Sequence, residues 1–112
     1  MMNEVLFCSE LKMWIEDNIT ERLLLDDVAI KSGYSKWHLQ RVFKKNTGIS
    51  LGFFIKRRKL EFAYHDIMVK EESITDIALK YGFDSLQAFS RAFTRHYRFP
   101  PSRISKKRIE NK

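Results

Sequence analysis

Leu25-Asp26-Asp27-Val28-Ala29-Ile30-Lys31-Ser32-Gly33-Tyr34 is a segment that the chain uses twice, the second time as Ile74-Thr75-Asp76-Ile77-Ala78-Leu79-Lys80-Tyr81-Gly82-Phe83. At an offset of 49, Asp27 meets Asp76, Ala29 meets Ala78, Lys31 meets Lys80 and Gly33 meets Gly82. Past the glycine the best offset becomes 50, which pairs Ser35 with Ser85, Arg41 with Arg91, Phe43 with Phe93 and Lys45 with Arg95. One extra residue in the second turn accounts for the shift. Each copy reads as helix, glycine turn, helix. Aspartates favour the start of the first helix, and the alanine lets a second helix cross close by. The glycine suits a left-handed turn, and the serine caps the helix that follows. Two copies do not make a solenoid, which needs at least about three stacked repeats. A plain helical bundle produced by duplication is the bland alternative.

Outward from this repeat the pattern stays helical. Val5, Leu6, Leu11, Trp14, Ile15 and Ile19 recur at helical spacing and predict a first helix ending near Asn18–Glu21. The second helix is expected at Leu25–Ser32, and the third from Ser35 to about Asn46, with Gly48 as its breaker. Ser50 caps a long fourth helix at about Leu51–Val69. Its apolar residues cover much of the circumference, so it should meet packed material on more than one side. Ser73 opens a fifth helix ended by Gly82, and Asp84 or Ser85 opens a sixth that runs to about Tyr97. Pro100-Pro101 stops the chain and seeds a last short helix, after which Lys106–Lys112 form a polar, fraying tail. The expected fold is all-α: two helix-turn-helix subdomains joined by a long linker helix, about seven helices in all. Residues 1–112 form a single domain, with the first unit at about 25–48, the linker at about 51–69 and the second unit at about 74–98.

Composition narrows the function. With 112 residues, 44% hydrophobic and 13% aromatic, the chain has the apolar content for one packed domain. Its 21 Lys+Arg against 14 Asp+Glu give a formal charge of +7, which suits a polyanionic partner. Cys8 is the single cysteine, so an internal disulfide is impossible and a cysteine metal site is not expected. No apolar run approaches the roughly 20 residues of a membrane span. The first residues lack the basic-then-apolar pattern of a secretory signal. The expected location is cytoplasmic and nucleoid-associated, with no membrane partner.

The second helix of each unit should bury one face and present the other. Leu39, Val42 and Phe43 are the core candidates of the first unit, and Ala88, Phe89, Ala92 and Phe93 those of the second. The opposite face carries Lys36, Trp37, Gln40, Arg41, Lys44 and Lys45 in one copy, and Gln87, Ser90, Arg91, Thr94 and Arg95 in the other. Trp37, Gln40 and Arg41 follow i, i+3, i+4 spacing, as do Gln87, Ser90 and Arg91. Arginine pairs with guanine and glutamine with adenine in the major groove, and tryptophan packs on sugars and thymine methyls. Neither helix carries an acid on this face, whereas ordinary solvated faces mix signs. Lys44, Lys45 and Arg95 are expected on phosphates. So are Lys56, Arg57 and Arg58 of the basic run Lys56-Arg57-Arg58-Lys59, and the helix N-terminus at Ser102. A linker of about 19 residues spans roughly 28 Å, and adjacent major grooves lie about 34 Å apart. A monomer therefore has the reach to fill two grooves on an asymmetric site without a two-fold partner.

These residues also carry a family resemblance. Tyr34-Ser35-Lys36-Trp37-His38-Leu39-Gln40-Arg41-Val42-Phe43-Lys44-Lys45 with Thr47-Gly48 resembles the first recognition helix of the AraC/XylS regulators, nearest the MarA, SoxS and Rob group. Tyr81-Gly82-Phe83-Asp84-Ser85, Phe89-Ser90-Arg91-Ala92-Phe93 and Pro100-Pro101 resemble the second, and Trp14-Ile15-Glu16-Asp17-Asn18 resembles the group's first helix. The likeness runs from about Leu11 to Arg103. It implies a monomeric activator of stress, efflux or antibiotic-resistance genes that binds an asymmetric promoter element in double-stranded DNA and recruits RNA polymerase. It implies base contacts by Trp37, Gln40, Arg41, Gln87 and Arg91, with Lys36 and Ser90 as weaker carry-overs. No cofactor is implied, and control is expected through the amount of protein. The chain departs from the family pattern at two places. Leu86 stands where relatives commonly have Gln; as a base-contacting residue it offers only apolar contact, such as to a thymine methyl, so the second unit is expected to read fewer bases, and Ile104-Ser105 replace a usual Tyr-Arg pair. Trp14, Glu16 and Asp17 form a candidate polymerase surface.

An enzyme is not expected, since His38, His65 and His96 are scattered and no nucleophile–base set stands out. Cys8 reads as packing. RNA binding is disfavoured because the aromatics fall at core spacing. The remaining alternatives are a helical protein-interaction module and a non-specific nucleic-acid binder.

Overall fold

The computed structural model describes residues 3–69 and 71–104, and Ser105 and the tail expected to fray lie outside them. Six helices follow in order: α1 (Glu4–Asp17), α2 (Leu25–Ser32), α3 (Lys36–Thr47), α4 (Leu51–Val69), α5 (Ile74–Lys80) and α6 (Leu86–Tyr97). A seventh helical turn occupies 102–104, after Pro101. The described residues contain no strand.

Local chemistry explains where these helices begin. Ser35, Ser50, Ser73 and Ser85 each accept a hydrogen bond from the backbone N–H three residues on, at 3.0–3.2 Å. Each bond satisfies one of the donors that a helix start leaves without a partner. Asn3 caps α1 in the same way, taking the N–H of Val5 at 2.9 Å. At the other ends, Gly33 and Gly48 adopt left-handed backbone as C-caps of α2 and α3. The repeat carries Gly48 onto Arg98, and Arg98 takes the same conformation at the end of α6 with φ 69°. A non-glycine there is strained. The fifth helix stops at Lys80, two residues short of the expected breaker Gly82.

The chain forms two compact units, Met1–Arg58 and Lys59–Lys112, and α4 contributes to both. In the first unit α3 packs on α1 and on α2. Cys8, Leu11, Ile15, Val28, Ala29, Leu39, Val42, Phe43 and Phe54 are buried there. Ala29 is the small residue expected where α2 and α3 cross. Cys8 lies 3.9 Å from the Val42 carbonyl, and burial pushes its thiol pKa up, so it behaves as a packing residue and not as a nucleophile.

The second unit sets α5 against α6 around Ile67, Ile77, Ala78, Phe89 and Phe93. Its core is aromatic: Phe93 meets Phe89, Tyr64, Tyr97 and Phe99 with ring centroids 4.6–6.0 Å apart. Such pairs add about 0.5–1.5 kcal/mol beyond their area. Ala88 and Ala92, expected in the core, are only half-buried, since they lie to one side of the stripe formed by the buried Phe89 and Phe93. Ile104, the departure near the end, is buried, so it serves as a core residue.

This unit also holds a polar cluster that periodicity did not reveal. The buried Asp66 carboxylate accepts the Tyr81 hydroxyl at 2.6 Å and lies 2.6 Å from the Lys80 ammonium. Lys80 reaches Glu72 at 2.7 Å as well, and Lys59, buried, donates to the Tyr81 carbonyl at 3.1 Å. Burial, and then the hydrogen bond to Asp66, push the Tyr81 phenol far above its ordinary 10.0. Burial alone would lower Lys80, but hydrogen bonds to Asp66 and Glu72 outweigh it and hold Lys80 above its ordinary 10.5. Both groups therefore release their protons more easily from the unfolded chain. Their contribution is complete below about pH 10 and is lost as pH rises through the higher folded values. Urea unfolding between pH 8 and 11 should show stability falling above about pH 10, and Tyr81→Phe should flatten part of that fall.

Candidate nucleic-acid interface

Helix α3 is amphipathic about a clear line. Leu39, Val42 and Phe43 are buried, while Lys36, Trp37, Gln40, Arg41, Lys44 and Lys45 are all exposed. Trp37 stands 68% in water, which the folded protein alone gives no reason to tolerate. The Arg41 guanidinium lies over its ring, 5.4 Å from the centroid. At an exposed site such a stack is worth about 0.5–1 kcal/mol, enough to bias the orientation of Arg41 without fixing it. At the flanks of this face, Lys36 lies 3.4 Å from Asp26 and Lys45 lies 3.8 Å from Glu4. Exposed pairs of this kind contribute little to stability, and both lysines keep their charge near the face.

Helix α6 repeats the plan. Gln87, Arg91, Thr94 and Arg95 are exposed and Ser90 is half-buried, opposite the buried Phe89 and Phe93. Leu86 opens the helix and is 37% exposed. Neither helix has an acidic residue, and Lys44, Lys45 and Arg95 sit in the last turns, where cations complement the helix dipole.

The basic run in α4 is divided by the helix. Lys56 is exposed. The half-buried Arg57 places its guanidinium 5.7 and 5.8 Å from the Phe53 and Phe54 ring centroids. Arg58 Nε lies 2.8 Å from Glu16 Oε2, so this arginine, expected on phosphate, has an internal carboxylate partner. Lys59 is buried in the polar cluster of the second unit. Of the four, only Lys56 is exposed. Ser102 is exposed at the start of the last helical turn, where Arg103 covers the Phe99 ring at 5.2 Å.

His38 is exposed and meets Tyr34 edge-on, His65 is exposed, and His96 lies against Tyr97. Among the described residues no group of three His, Cys, Asp or Glu could hold a metal, and no helix is long and apolar enough to cross a membrane. Sequence reasoning missed the Trp37–Arg41 stack as a pair and the Lys36–Asp26 pair. The i, i+4 spacing of the first was a usable signal. The second joins two helices, and nothing in the linear pattern marks it.

The family of the Helix-turn-helix domain matches residues 28–107. The HTH-type transcriptional activator AarP of Providencia stuartii is 49% identical over 94 residues, which are 84% of this chain and 70% of that protein. The multiple antibiotic resistance protein MarA of Escherichia coli (strain K12) is 47% identical over 88 residues, 79% of this chain and 69% of MarA. Among solved structures, a transcriptional regulator of the AraC-type DNA-binding domain-containing proteins from Chromobacterium violaceum superposes with a TM-score of 0.82 at 29% identity, covering 91% of each chain.

Proposed function

The chain belongs to the AraC/XylS family of helix-turn-helix DNA-binding transcriptional regulators, in its MarA/SoxS/Rob group, and from that premise we propose that it acts as a monomeric activator which reads an asymmetric promoter element with α3 and α6 in successive major grooves. The observation that carries this reading is the repeated outward trio. Trp37, Gln40 and Arg41 on α3, and Gln87, Ser90 and Arg91 on α6, stand opposite buried core residues and are free of acidic neighbours on either helix. Arg41, Gln40, Arg91 and Gln87 supply the donors and acceptors that distinguish base pairs, and Trp37 supplies apolar contact. Lys36 and Ser90 support them. Lys44, Lys45, Lys56, Arg57, Arg95 and the N–H groups at Ser102 hold the phosphates and set the register, with Arg58 tied to Glu16 and so the weakest of the set.

The names of AarP and MarA point to activation and to antibiotic-resistance genes as the target class. Residues 1–112 work as one DNA-binding domain in the cytoplasm, on the nucleoid. Activation needs a polymerase contact. The end of α1 offers the exposed Asp17 beside the half-buried Trp14, while Glu16 is engaged by Arg58.

Selection of tight binders from random duplex DNA, followed by competition at near-physiological salt, tests the proposal. The expected product is an asymmetric motif in two halves about one helical turn apart, bound by one protein molecule and preferred over random DNA by at least about 10³. Weak binding without sequence preference would overturn it in favour of a non-specific nucleic-acid binder, and no binding would point to a protein-interaction module. Lys56→Ala should weaken all sequences alike and reduce the slope of log affinity against log salt by about 1.

A further inference from the structure

The two units differ most at the first turn of their outward helices. In the first unit that position is Lys36, exposed, its ammonium 3.4 Å from the exposed Asp26 of α2. The repeat carries Lys36 onto Leu86 and Asp26 onto Thr75. Both members of the ion pair are thus replaced together by neutral residues, and Thr75 is exposed as Asp26 is. Leu86 follows the Ser85 cap directly and is 37% exposed; it continues the stripe of the buried Phe89 and Phe93 to the start of α6, where it emerges into solvent beside the exposed Gln87 and the half-buried Ser90.

The leading turn of a recognition helix is the part that touches base edges. Leucine has neither donor nor acceptor, so it cannot read the hydrogen-bonding pattern that separates guanine from adenine. The apolar group on the major-groove edge is the 5-methyl of thymine. Burying one such group against an apolar side chain corresponds to about fourfold in affinity.

We propose that Leu86 is a specificity-determining residue that packs on the 5-methyl group of a thymine in the half-site read by α6. The inference rests on the DNA-reading function above and adds the chemical group that the second unit recognises. The same position of the site then accepts 5-methylcytosine better than cytosine, since the methyl occupies the same place on the groove edge.

The test uses the full chain and the site obtained by selection. Each thymine of the α6 half is replaced singly by deoxyuridine, which removes the methyl and keeps the base pair. One position should lose about three- to fivefold in affinity, and cytosine against 5-methylcytosine at that position should differ in the same direction. With Leu86→Ala the thymine–uracil difference should vanish there and persist elsewhere, and Leu86→Met should retain it. Leu86 is 37% exposed and so partly packed, and Leu86→Ala should lower the melting temperature slightly; the thymine–uracil ratio is therefore read within each folded variant, where a general loss of stability cancels. A selected site with no methyl effect in that half, or a methyl effect that survives Leu86→Ala, overturns this inference alone. Failure to select any preferred site overturns the DNA-reading function and this inference with it.

Discussion

Arg41→Ala should lower affinity for the selected site by about 1–3 kcal/mol, roughly fivefold to 150-fold, and relax the preference for one base. Its binding to random duplex DNA should fall much less, by the share of a single positive charge. The reason is geometric. Arg41 is exposed on α3 opposite the buried Val42 and Phe43, and its guanidinium is stacked on Trp37 at 5.4 Å. A planar fork held over a ring loses less freedom when it pairs with a base than one that moves freely in water. Trp37→Ala should therefore weaken specific binding partly through Arg41. A double-mutant cycle of the two should return a coupling of about 0.5–1 kcal/mol. Unchanged specific affinity in Arg41→Ala would mean that the reading face of α3 is turned elsewhere.

Asp66→Ala should be the most damaging single change to stability among the polar positions, at about 3–5 kcal/mol in urea unfolding. The carboxylate is buried and serves two donors at 2.6 Å, the Tyr81 hydroxyl and the Lys80 ammonium. Its loss leaves the phenol without its acceptor and Lys80 with Glu72 as its remaining carboxylate at hand. Tyr81→Phe removes one hydrogen bond and keeps the ring, so it should cost about 1 kcal/mol. Asp26→Ala, which breaks only the exposed pair with Lys36, should cost well under about 1 kcal/mol. If Asp66→Ala fell in the range of Asp26→Ala, the cluster would contribute no more than a surface pair.

The contrast between these aspartates shows what a linear pattern carries. Helix ends are local events, so Ser35, Ser50, Ser73 and Ser85 could be read as caps from their neighbours alone, and Gly33 and Gly48 as stops. The outward trios were legible for the same reason, since a helix places i, i+3 and i+4 together. The Asp66 cluster was not, because Asp66 and Tyr81 are 15 residues apart and meet only through packing. Charge runs are legible in part. That a helix turning about 100° per residue spreads Lys56-Arg57-Arg58-Lys59 around its circumference follows from the sequence; the individual destinations, solvent, aromatic rings, Glu16 and a buried carbonyl, follow only from packing. Local rules likewise left out Arg98, which closes α6 in a conformation that glycine would take more easily.

The acid-free outward faces of α3 and α6 have a thermodynamic side. Asp26 and Glu4 offset Lys36 and Lys45 from neighbouring elements, but Arg41 and Lys44 on α3, and Arg91 and Arg95 on α6, are like charges on one helix with no acid beside them on that helix, a load that the folded state bears and a disordered chain would relax. Salt relieves that load and so steadies the free protein, while the same salt loosens the complex by restoring counterions to the phosphates. Folding and ligation thus answer ionic strength with opposite signs, and the polyanion itself is the natural agent that reconciles them.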